Sequence, residues 1–333
     1  MSDPVLSVQG LVAEFATGQG LVRAVDGVSW ELFPGETLAI VGESGSGKSV
    51  TALSVLGLLP APHARIRAGR VLFEGCDLLG ASKAQLRRIR GGDIAMVFQD
   101  PMTSLNPVFT VGSQIAEALR THDRRMGDGP ARRRSIELLE LVGIPSAEQR
   151  FRQYPHEYSG GMRQRAMIAM AIANRPKVLI ADEPTTALDV TIQAQVLDVL
   201  QIAQRETGAA TILITHDLGV VAEMADRVVV MYAGRVVETA DVRTTFHAPR
   251  HPYTLGLMTS LPRLDADLAR LSAIPGEPPS LLTPPAGCAF HPRCRLSRAR
   301  EQCVSEPPPL YDLGADHRAA CHFHDEMAGE TRR

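Results

Sequence analysis

The chain has 333 residues, 44% of them hydrophobic, and a formal net charge of −2. This length allows one large domain with an appendage, or two domains, and the nearly balanced charge excludes the basic footprint of a nucleic-acid-binding protein. No apolar run approaches the roughly 18 residues of a membrane-spanning helix. The N-terminus is neither basic nor followed by an apolar signal segment, so we expect the chain to stay in the cytoplasm.

The first 35 residues predict short strands. Apolar residues recur along 5–8, 22–25 and 28–33, and Pro34 and Gly35 then predict a turn. Phe15 lies between the first two of these strands. Its ring either packs in the core or stacks on a purine base, because an aromatic face stacks on a planar base.

Residues 42–49 read Gly-Glu-Ser-Gly-Ser-Gly-Lys-Ser and fit the phosphate-binding pattern G-x-x-x-x-G-K-S/T at every specified position. An apolar strand precedes this loop and an apolar helix follows it, stopped by Pro60. That arrangement aims backbone N–H groups and a helix N-terminus at an anion. Lys48 would reach the outer phosphates and Ser49 would bind Mg²⁺. The predicted nucleotide-binding residues are Gly42, Ser44, Gly45, Ser46, Gly47, Lys48 and Ser49.

A strand ending at Gln99 and a helical insert follow. Residues 94–98 are apolar and predict the strand, and residues 100–107 predict a loop. From about residue 111 to 142 the apolar residues recur with helical spacing. A helical insert between two strands of an α/β core predicts a subdomain, at about residues 100–172.

Ser159, Gly160 and Gly161 precede a further helix. Ser159 is a good N-cap for the Ala-, Met- and Ile-rich run that follows. An exposed glycine-rich helix start is a second candidate anion site, although Ser-Gly-Gly also forms ordinary loops.

Two carboxylates end a predicted buried strand. Residues 178–181 are apolar and lead into Asp182 and Glu183, at the strand end where open α/β sheets place their chemistry. Asp182 would hold Mg²⁺ through its water shell, and Glu183 would orient or deprotonate the attacking water. The alternative is that both acids only cap the strand. His216 follows the next apolar strand, which favours a contact with a γ-phosphate.

The composition changes after about residue 240. Twelve of the 23 prolines lie between Pro249 and Pro309, and because proline fixes φ and removes a donor, we expect an irregular tail that adds no further sheet. In a cytoplasmic chain, clustered cysteines favour a metal over disulfides. Four thiolates hold a 4Fe–4S cluster or a tetrahedral zinc ion, and metal-free thiols are the third possibility. The cysteines concerned are Cys288, Cys294, Cys303 and Cys321.

Taken in order, the phosphate-binding loop, the strand ending in Gln, Ser-Gly-Gly, the apolar strand ending in Asp-Glu and the later His resemble the ATP-binding subunits of ABC transporters. The resemblance covers nearly the whole chain. Similarity to the peptide and nickel importer branch is carried by four segments: residues 98–107 (Phe-Gln-Asp-Pro-Met-Thr-Ser-Leu-Asn-Pro), 158–165 (Tyr-Ser-Gly-Gly-Met-Arg-Gln-Arg), 189–195 (Asp-Val-Thr-Ile-Gln-Ala-Gln) and 251–254 (His-Pro-Tyr-Thr). Within this branch, residues 45–49 (Gly-Ser-Gly-Lys-Ser) and the long cysteine tail are more similar to the D-type ATPase of the pair than to the F-type one.

The resemblance implies a P-loop NTPase fold of the α/β class. Its RecA-like core would carry an antiparallel β subdomain, the inserted helical subdomain and an irregular Pro- and Cys-rich extension. The implied boundaries are residues 1–240 for the nucleotide-binding domain and residues 241–333 for the extension.

The resemblance also implies roles that spacing does not show. Two nucleotide domains would meet head to tail, so that Ser159, Gly160 and Gly161 serve the ATP held on the partner's P-loop. Gln99 would sense Mg²⁺ and touch the membrane subunits, Asp189 would cross the dimer interface, and Phe15 would stack on adenine. Lys48, Glu183 and His216 would form the catalytic set. Some tails of this kind carry a 4Fe–4S cluster.

The implied function is ATP hydrolysis that powers the import of di- or oligopeptides, with ATP and Mg²⁺ as cofactors. The implied partners are a second, distinct ATPase subunit, two integral-membrane permease subunits and an extracytoplasmic substrate-binding protein, but no nucleic acid. The chain would lie on the cytoplasmic face of the membrane. Nickel or another small solute is the alternative cargo. A soluble ABC-type ATPase acting on nucleic acid or ribosomes is the alternative function.

Overall fold

The computed structural model of the protein describes residues 3–186, 188–260, 274–297 and 300–330. Within these ranges there are twelve strands, thirteen α-helices and two 3₁₀ turns, Pro155–Glu157 and His291–Arg293. The strands are β1 (Leu6–Thr17), β2 (Gly20–Leu32), β3 (Thr37–Val41), β4 (Ala64–Phe73), β5 (Cys76–Asp77), β6 (Ile94–Val97), β7 (Val178–Asp182), β8 (Ala210–Ile214), β9 (Arg227–Tyr232), β10 (Arg235–Asp241), β11 (Tyr311–Asp312) and β12 (Arg318–Ala319).

The helices alternate with the strands along much of the chain. They are α1 (Lys48–Val55), α2 (Lys83–Ile89), α3 (Pro101–Ser104), α4 (Val111–His122), α5 (Asp128–Leu141), α6 (Ala147–Arg150), α7 (Gly160–Ala171), α8 (Val190–Thr207), α9 (Leu218–Met224), α10 (Val242–His247), α11 (Pro252–Thr259), α12 (Glu301–Ser305) and α13 (His324–Glu330). Among the residues that the structure describes, every helix is too short or too polar to span a lipid bilayer.

The described residues divide into two compact units. The first contains the described parts of residues 1–6, 31–37 and 73–214. Its strands β6, β7 and β8 are parallel, with Ile94 opposite Val178 and Val178 opposite Ala210. Every residue of β7 and β8 is buried, as expected for apolar strands that are covered on both faces. Asp182 and Glu183 therefore come at the carboxyl end of a buried parallel strand, as predicted.

The chain between β6 and β7 in the first unit is mainly helical. The hydroxyl of Thr110 caps α4 by accepting a hydrogen bond from the Ser113 N–H (3.3 Å). Val111, Ile115 and Leu119 are buried along one face of α4, because residues four apart lie above one another on a helix. Helices α4, α5 and α7 pack against one another and build the helical part of this unit.

The second unit contains residues 7–30, 38–72 and the described part of 215–333. Two residues join β1 to β2, and β1 lies between β2 and β4 in one sheet. In the other sheet β3 is parallel to β9, with Leu38 opposite Arg227. Pairing with β9 holds β3 in place, and β3 leads directly into residues 42–49.

The tail adds to this second sheet. Strand β12 is antiparallel to β10, with Glu238 opposite Ala319, and β11 pairs with β12. The expectation that the tail contributes no sheet is therefore wrong. The reason is local: Pro309 is the last proline of the chain, so β11 and β12 lie in a proline-free stretch where every residue can donate its N–H.

Aromatic residues join the tail to the core of the second unit. Tyr232, Tyr253 and Phe290 are buried together with Val41 and Val230. The ring centroids of Tyr232 and Phe290 lie 5.2 Å apart at an interplanar angle of 89°, an edge-to-face arrangement that aromatic pairs favour. The cysteine-rich extension is therefore anchored by its own side chains in this core.

Candidate functional site

Residues 42–49 form the predicted loop between β3 and α1. Gly42 and Gly47 have φ angles of +152° and +101°, which side-chain-bearing residues rarely adopt. A Cβ on Gly42 would overlap the Met231 carbonyl oxygen, and one on Gly47 would press on the Ala24 carbonyl oxygen. Both positions therefore require glycine, because backbone from β2 and β9 approaches the loop closely.

Lys48 points back over this loop. Its Nζ donates hydrogen bonds to the carbonyl oxygens of Gly42 (2.7 Å) and Glu43 (3.0 Å), and the residue is only 5% exposed. A lysine held in this way places a compact positive charge at the mouth of the glycine loop. The charge lies where a phosphate oxygen would need it.

Ser46 carries a buried hydroxyl with an open hydrogen-bonding position. The residue is 4% exposed, and among the described residues its Oγ has no hydrogen-bond partner. Buried polar atoms in this condition are uncommon and call for a ligand, water or ion. Together with the cradle at Gly42 and Gly47 and the cation of Lys48, this hydroxyl fits a loop that binds a polyphosphate.

The first unit brings Gln99 and Glu183 together. Glu183 Oε2 accepts hydrogen bonds from Gln99 Nε2 (3.1 Å) and from Thr186 Oγ1 (2.8 Å). Glu183 also has a φ of +47°, an unusual backbone conformation for a residue other than glycine and one that clusters at functional sites. The sequence identified Gln99 and Glu183 separately. It missed Thr186, although a hydroxyl three residues after Glu183 was a signal.

Ser159 and Asp189 both cap helices of the first unit. Ser159 Oγ accepts from the Met162 N–H at the start of α7 (3.3 Å), and Asp189 Oδ1 accepts from the Ile192 N–H at the start of α8 (3.0 Å). Ser159 and Gly160 are exposed, whereas Gly161 is buried. A Cβ on Gly161 would overlap the side chain of Ile192, so this glycine is needed where α7 packs on α8.

The remaining predicted residues are placed as follows. Asp182 is the buried last residue of β7. Phe15 is half-buried within β1, and His216 is exposed two residues after β8. Asp182 and His216 lie at the ends of the predicted strands, whereas the prediction that Phe15 lies between two strands is wrong, because β1 continues from Leu6 to Thr17.

The extension gathers its four cysteines. Cys288, Cys294, Cys303 and Cys321 are free thiols, and they interact electrostatically in all six pairwise combinations. Burial raises the pKa of Cys288 to about 11 and that of Cys321 to about 12, with neighbouring thiols adding to the rise. Within the described ranges, however, no three His, Cys, Asp or Glu side chains are arranged to hold a metal ion. The geometry therefore does not support the predicted 4Fe–4S cluster or zinc ion.

One contact to the P-loop was missed by the sequence. The Tyr253 hydroxyl accepts a hydrogen bond from the Glu43 N–H (2.8 Å). Tyr253 is fully buried, and burial raises the pKa of its phenol, so it stays a neutral donor and acceptor. Tyr253 belongs to the segment His-Pro-Tyr-Thr at residues 251–254, one of the segments that carried the family resemblance. That resemblance could have marked Tyr253 as a functional residue.

Comparisons with known proteins agree with this geometry. Residues 25–186 match the family described as ABC transporter, and residues 237–303 match the one described as oligopeptide/dipeptide transporter, C-terminal region. The dipeptide transport ATP-binding protein DppD of Bacillus subtilis is 56% identical over 98% of this chain and 96% of its own length. The oligopeptide transport ATP-binding protein OppD of Mycobacterium tuberculosis is 55% identical over 98% of this chain and 53% of its own, so the chain spans about half the length of that relative.

Solved structures show the same fold. A dimeric ATP-binding cassette in a post-hydrolysis state, bound to ADP and Pi, aligns with a TM-score of 0.64 and 28% identity, covering 72% of this chain and 99% of the cassette. The predicted P-loop NTPase fold is confirmed, with its α/β core, its β subdomain and its inserted helices. So is the resemblance that the motifs carried: the chain belongs to the ABC transporter ATP-binding proteins, in the branch with the oligopeptide/dipeptide transporter C-terminal region.

Proposed function

We propose that this chain is the ATP-binding and ATP-hydrolysing subunit that powers an importer of di- or oligopeptides. The observation that carries the proposal is the loop at residues 42–49, with Lys48 held over its carbonyls and the Ser46 hydroxyl buried and unpartnered among the described residues. Relatives named as dipeptide and oligopeptide transport ATP-binding proteins supply the cargo class.

The catalytic roles follow from charge and position. ATP would bind through the backbone of residues 42–49, with Lys48 on its outer phosphates and Phe15 against adenine. Ser49 and Asp182 are the residues that would hold Mg²⁺, which would neutralise charge on the phosphates. Glu183 orients or deprotonates the attacking water, and His216 contacts the γ-phosphate. Gln99, which already donates to Glu183 in this structure, links the Mg²⁺ site to the helical region.

A second nucleotide-binding subunit completes the site. Ser159 and Gly160 are exposed at the start of α7, so their N–H groups and hydroxyl can serve a phosphate held by another molecule. Gly161 keeps α7 close to α8, and Asp189 presents the N-terminus of α8 to the same interface. We favour a distinct ATPase as the partner, as the branch implies.

Docking to the membrane uses the segment after Gln99. Val108 and Phe109 are 69% and 53% exposed, and large apolar side chains exposed together mark a contact surface. In this proposal two integral-membrane permease subunits cover them and hold the chain peripherally at the cytoplasmic face. An extracytoplasmic binding protein delivers the peptide, and no nucleic acid is involved. Residues 1–240 form the nucleotide-binding domain, with its helical subdomain at about 100–172, and residues 241–333 form the extension.

The metal at the cysteines stays a prediction. Its support is chemical: one extension carries four thiols, and soft thiolate ligands suit a 4Fe–4S cluster or zinc. Elemental analysis of anaerobically purified protein decides among iron, zinc and free thiols. Stoichiometric zinc without iron would reject the cluster. The absence of both iron and zinc would reject the cluster and the zinc site.

Replacement of Glu183 tests the catalytic assignment. Glu183→Gln should still bind ATP but hydrolyse it about a hundredfold more slowly or worse, because the water loses its base. Glu117→Gln, on the exposed face of α4, is the matched control and should retain wild-type turnover. Near-normal hydrolysis by Glu183→Gln would remove Glu183 from the mechanism. Recovery of the tagged chain with ribosomes, rather than with two polytopic proteins and a second ATPase, would overturn the transport function.

A further inference from the structure

Arg293 links the cysteine-rich extension to the P-loop. It lies in the 3₁₀ turn His291–Arg293, directly before Cys294, and its side chain is only 5% exposed. Arg293 Nη1 and Nη2 donate to Glu43 Oε2 (2.6 Å) and Oε1 (2.9 Å). This two-pronged contact fixes the carboxylate in orientation as well as in position, which a lysine would not do.

The guanidinium is itself held on its other sides. Its Nε donates to the Pro275 carbonyl oxygen (3.0 Å), and Nη1 also reaches the Tyr232 hydroxyl (3.3 Å). The rings of Tyr232 and Phe290 face it with centroids 5.8 and 5.9 Å away, within the range of cation–π attraction. The hydrogen bonds that Arg293 donates to Glu43 raise the pKa of Arg293 above its usual value, so its charge is permanent.

Glu43 is the second residue of the P-loop and is fixed at three points. Its N–H donates to Tyr253, its carbonyl oxygen accepts from Lys48 Nζ, and its carboxylate receives Arg293. The carbonyl that positions Lys48 is thus set by contacts from Tyr253 in α11 and from Arg293, both of which lie in the extension. A shift of about 1 Å in a group that orients a reacting phosphate can cost a hundredfold in rate.

We propose that Arg293 is a positioning residue for the nucleotide site: through Glu43 it holds the P-loop in the shape that binds ATP, so that nucleotide affinity depends on the cysteine-rich extension being in place. The inference rests on the proposed function. It adds that the extension acts on the same chain's P-loop and is more than an attachment at the end of the domain.

Nucleotide binding by the full-length chain tests this directly. With a fluorescent ATP analogue and Mg²⁺, Arg293→Met should raise the Kd roughly tenfold, in the range found when a partner that orients a ligand-binding group is removed. Arg293→Lys should fall between Arg293→Met and wild type, because it keeps the charge but loses the fork. Should Arg293→Met fail to fold, Arg293→Lys decides alone.

The extension provides a matched control. Arg300 makes the same two-pronged contact, at 3.0 and 2.7 Å, but its partner is the exposed carboxylate of Glu326 and not a residue of the P-loop. Arg300→Met should bind the analogue within twofold of wild type. Equal weakening by both variants would show general loosening of the extension and would overturn the specific role of Arg293.

A readout without nucleotide separates the two proposals. Amide hydrogen exchange of peptides spanning residues 42–48 should be faster in Arg293→Met than in wild type and unchanged in Arg300→Met. A wild-type chain that binds no analogue would overturn the proposed function, while faster exchange would still support P-loop positioning. Tight analogue binding by Arg293→Met with unchanged exchange would overturn the inference and leave the proposed function intact.

Discussion

The P-loop and the cysteine-rich extension belong to the same unit, but they differ in how their residues are brought together. The P-loop draws eight consecutive residues into one turn, which Tyr253 and Arg293 contact at Glu43 and which backbone of β2 and β9 approaches closely at Gly47 and Gly42. The extension collects Cys288, Cys294, Cys303 and Cys321 from separate turns, held by an aromatic cluster and by Arg293. A contiguous motif can therefore be recognised in the sequence even though distant contacts help to set its shape, whereas the gathering of dispersed residues is seen only in the folded chain.

Removing the P-loop cation should have the largest effect. Lys48→Ala should lower ATP hydrolysis about a thousandfold, because a preorganised charge on the transferring phosphoryl group is lost. Steady-state phosphate release measures it. Lys177→Ala removes an exposed lysine that pairs with Glu74 and should leave the rate unchanged. Comparable losses of ATP hydrolysis in both variants would mean that Lys48 has no specific role in catalysis.

The close approach at Gly42 gives the next largest effect. Gly42→Ala should destabilise the protein by roughly 4 kcal/mol, since its Cβ overlaps the Met231 carbonyl and its φ is unfavourable. Gly45→Ala is the matched variant: nothing lies within 4 Å of its Cβ, although φ is +77°, and it should cost only about 1 kcal/mol. Denaturant unfolding distinguishes them. Equal costs would contradict the steric account of the loop.

Attachment of the extension should depend on pH. His251 is 1% exposed, and burial lowers its pKa from 6.5 to about 4, opposed by the Glu238 carboxylate. The unfolded chain therefore takes up a proton at higher pH than the folded chain. The contribution of neutral His251 to the free energy of unfolding is fully present above about pH 6.5. It is lost as the pH is lowered toward 4, by roughly 3 kcal/mol for this histidine.

Unfolding midpoints at pH 7 and pH 5 measure this dependence. His251→Asn is the control, because asparagine can still cap α11 where His251 Nδ1 accepts from the Tyr253 N–H but does not titrate. The variant should show a weaker loss on acidification. An identical pH profile in the variant would assign the acid sensitivity to other groups.

The smallest effect is expected at the surface of the extension. Glu326 is exposed, and its pKa is lowered by hydrogen bonds from Arg300. Glu326→Gln should leave the unfolding midpoint unchanged, because exposed ion pairs contribute little to stability. A clear drop would indicate that the extension is held by its surface contacts as well as by its buried aromatic residues.

The sequence predicted the contiguous motifs of the molecule better than the contacts between distant residues. The strand, loop and helix around Lys48, the buried strand ending at Asp182 and the cap at Ser159 were all predicted, because each depends on neighbours within a few residues. The contacts of Glu43 with Arg293 and Tyr253 were not, since they join residues more than 200 positions apart. The pairing of β12 with β10 was missed because these strands, too, are far apart in the chain.

That pairing has a consequence for solubility. β10 is a strand of seven residues, and β12 covers part of its outer side through Glu238 and Thr239. A chain shortened before β11 would expose those N–H and C=O groups as a template for another molecule, the usual start of strand-to-strand aggregation. In the intact chain the sheet ends instead at β11, which has only two residues. The tail thus closes the sheet with an edge too short to recruit a neighbour.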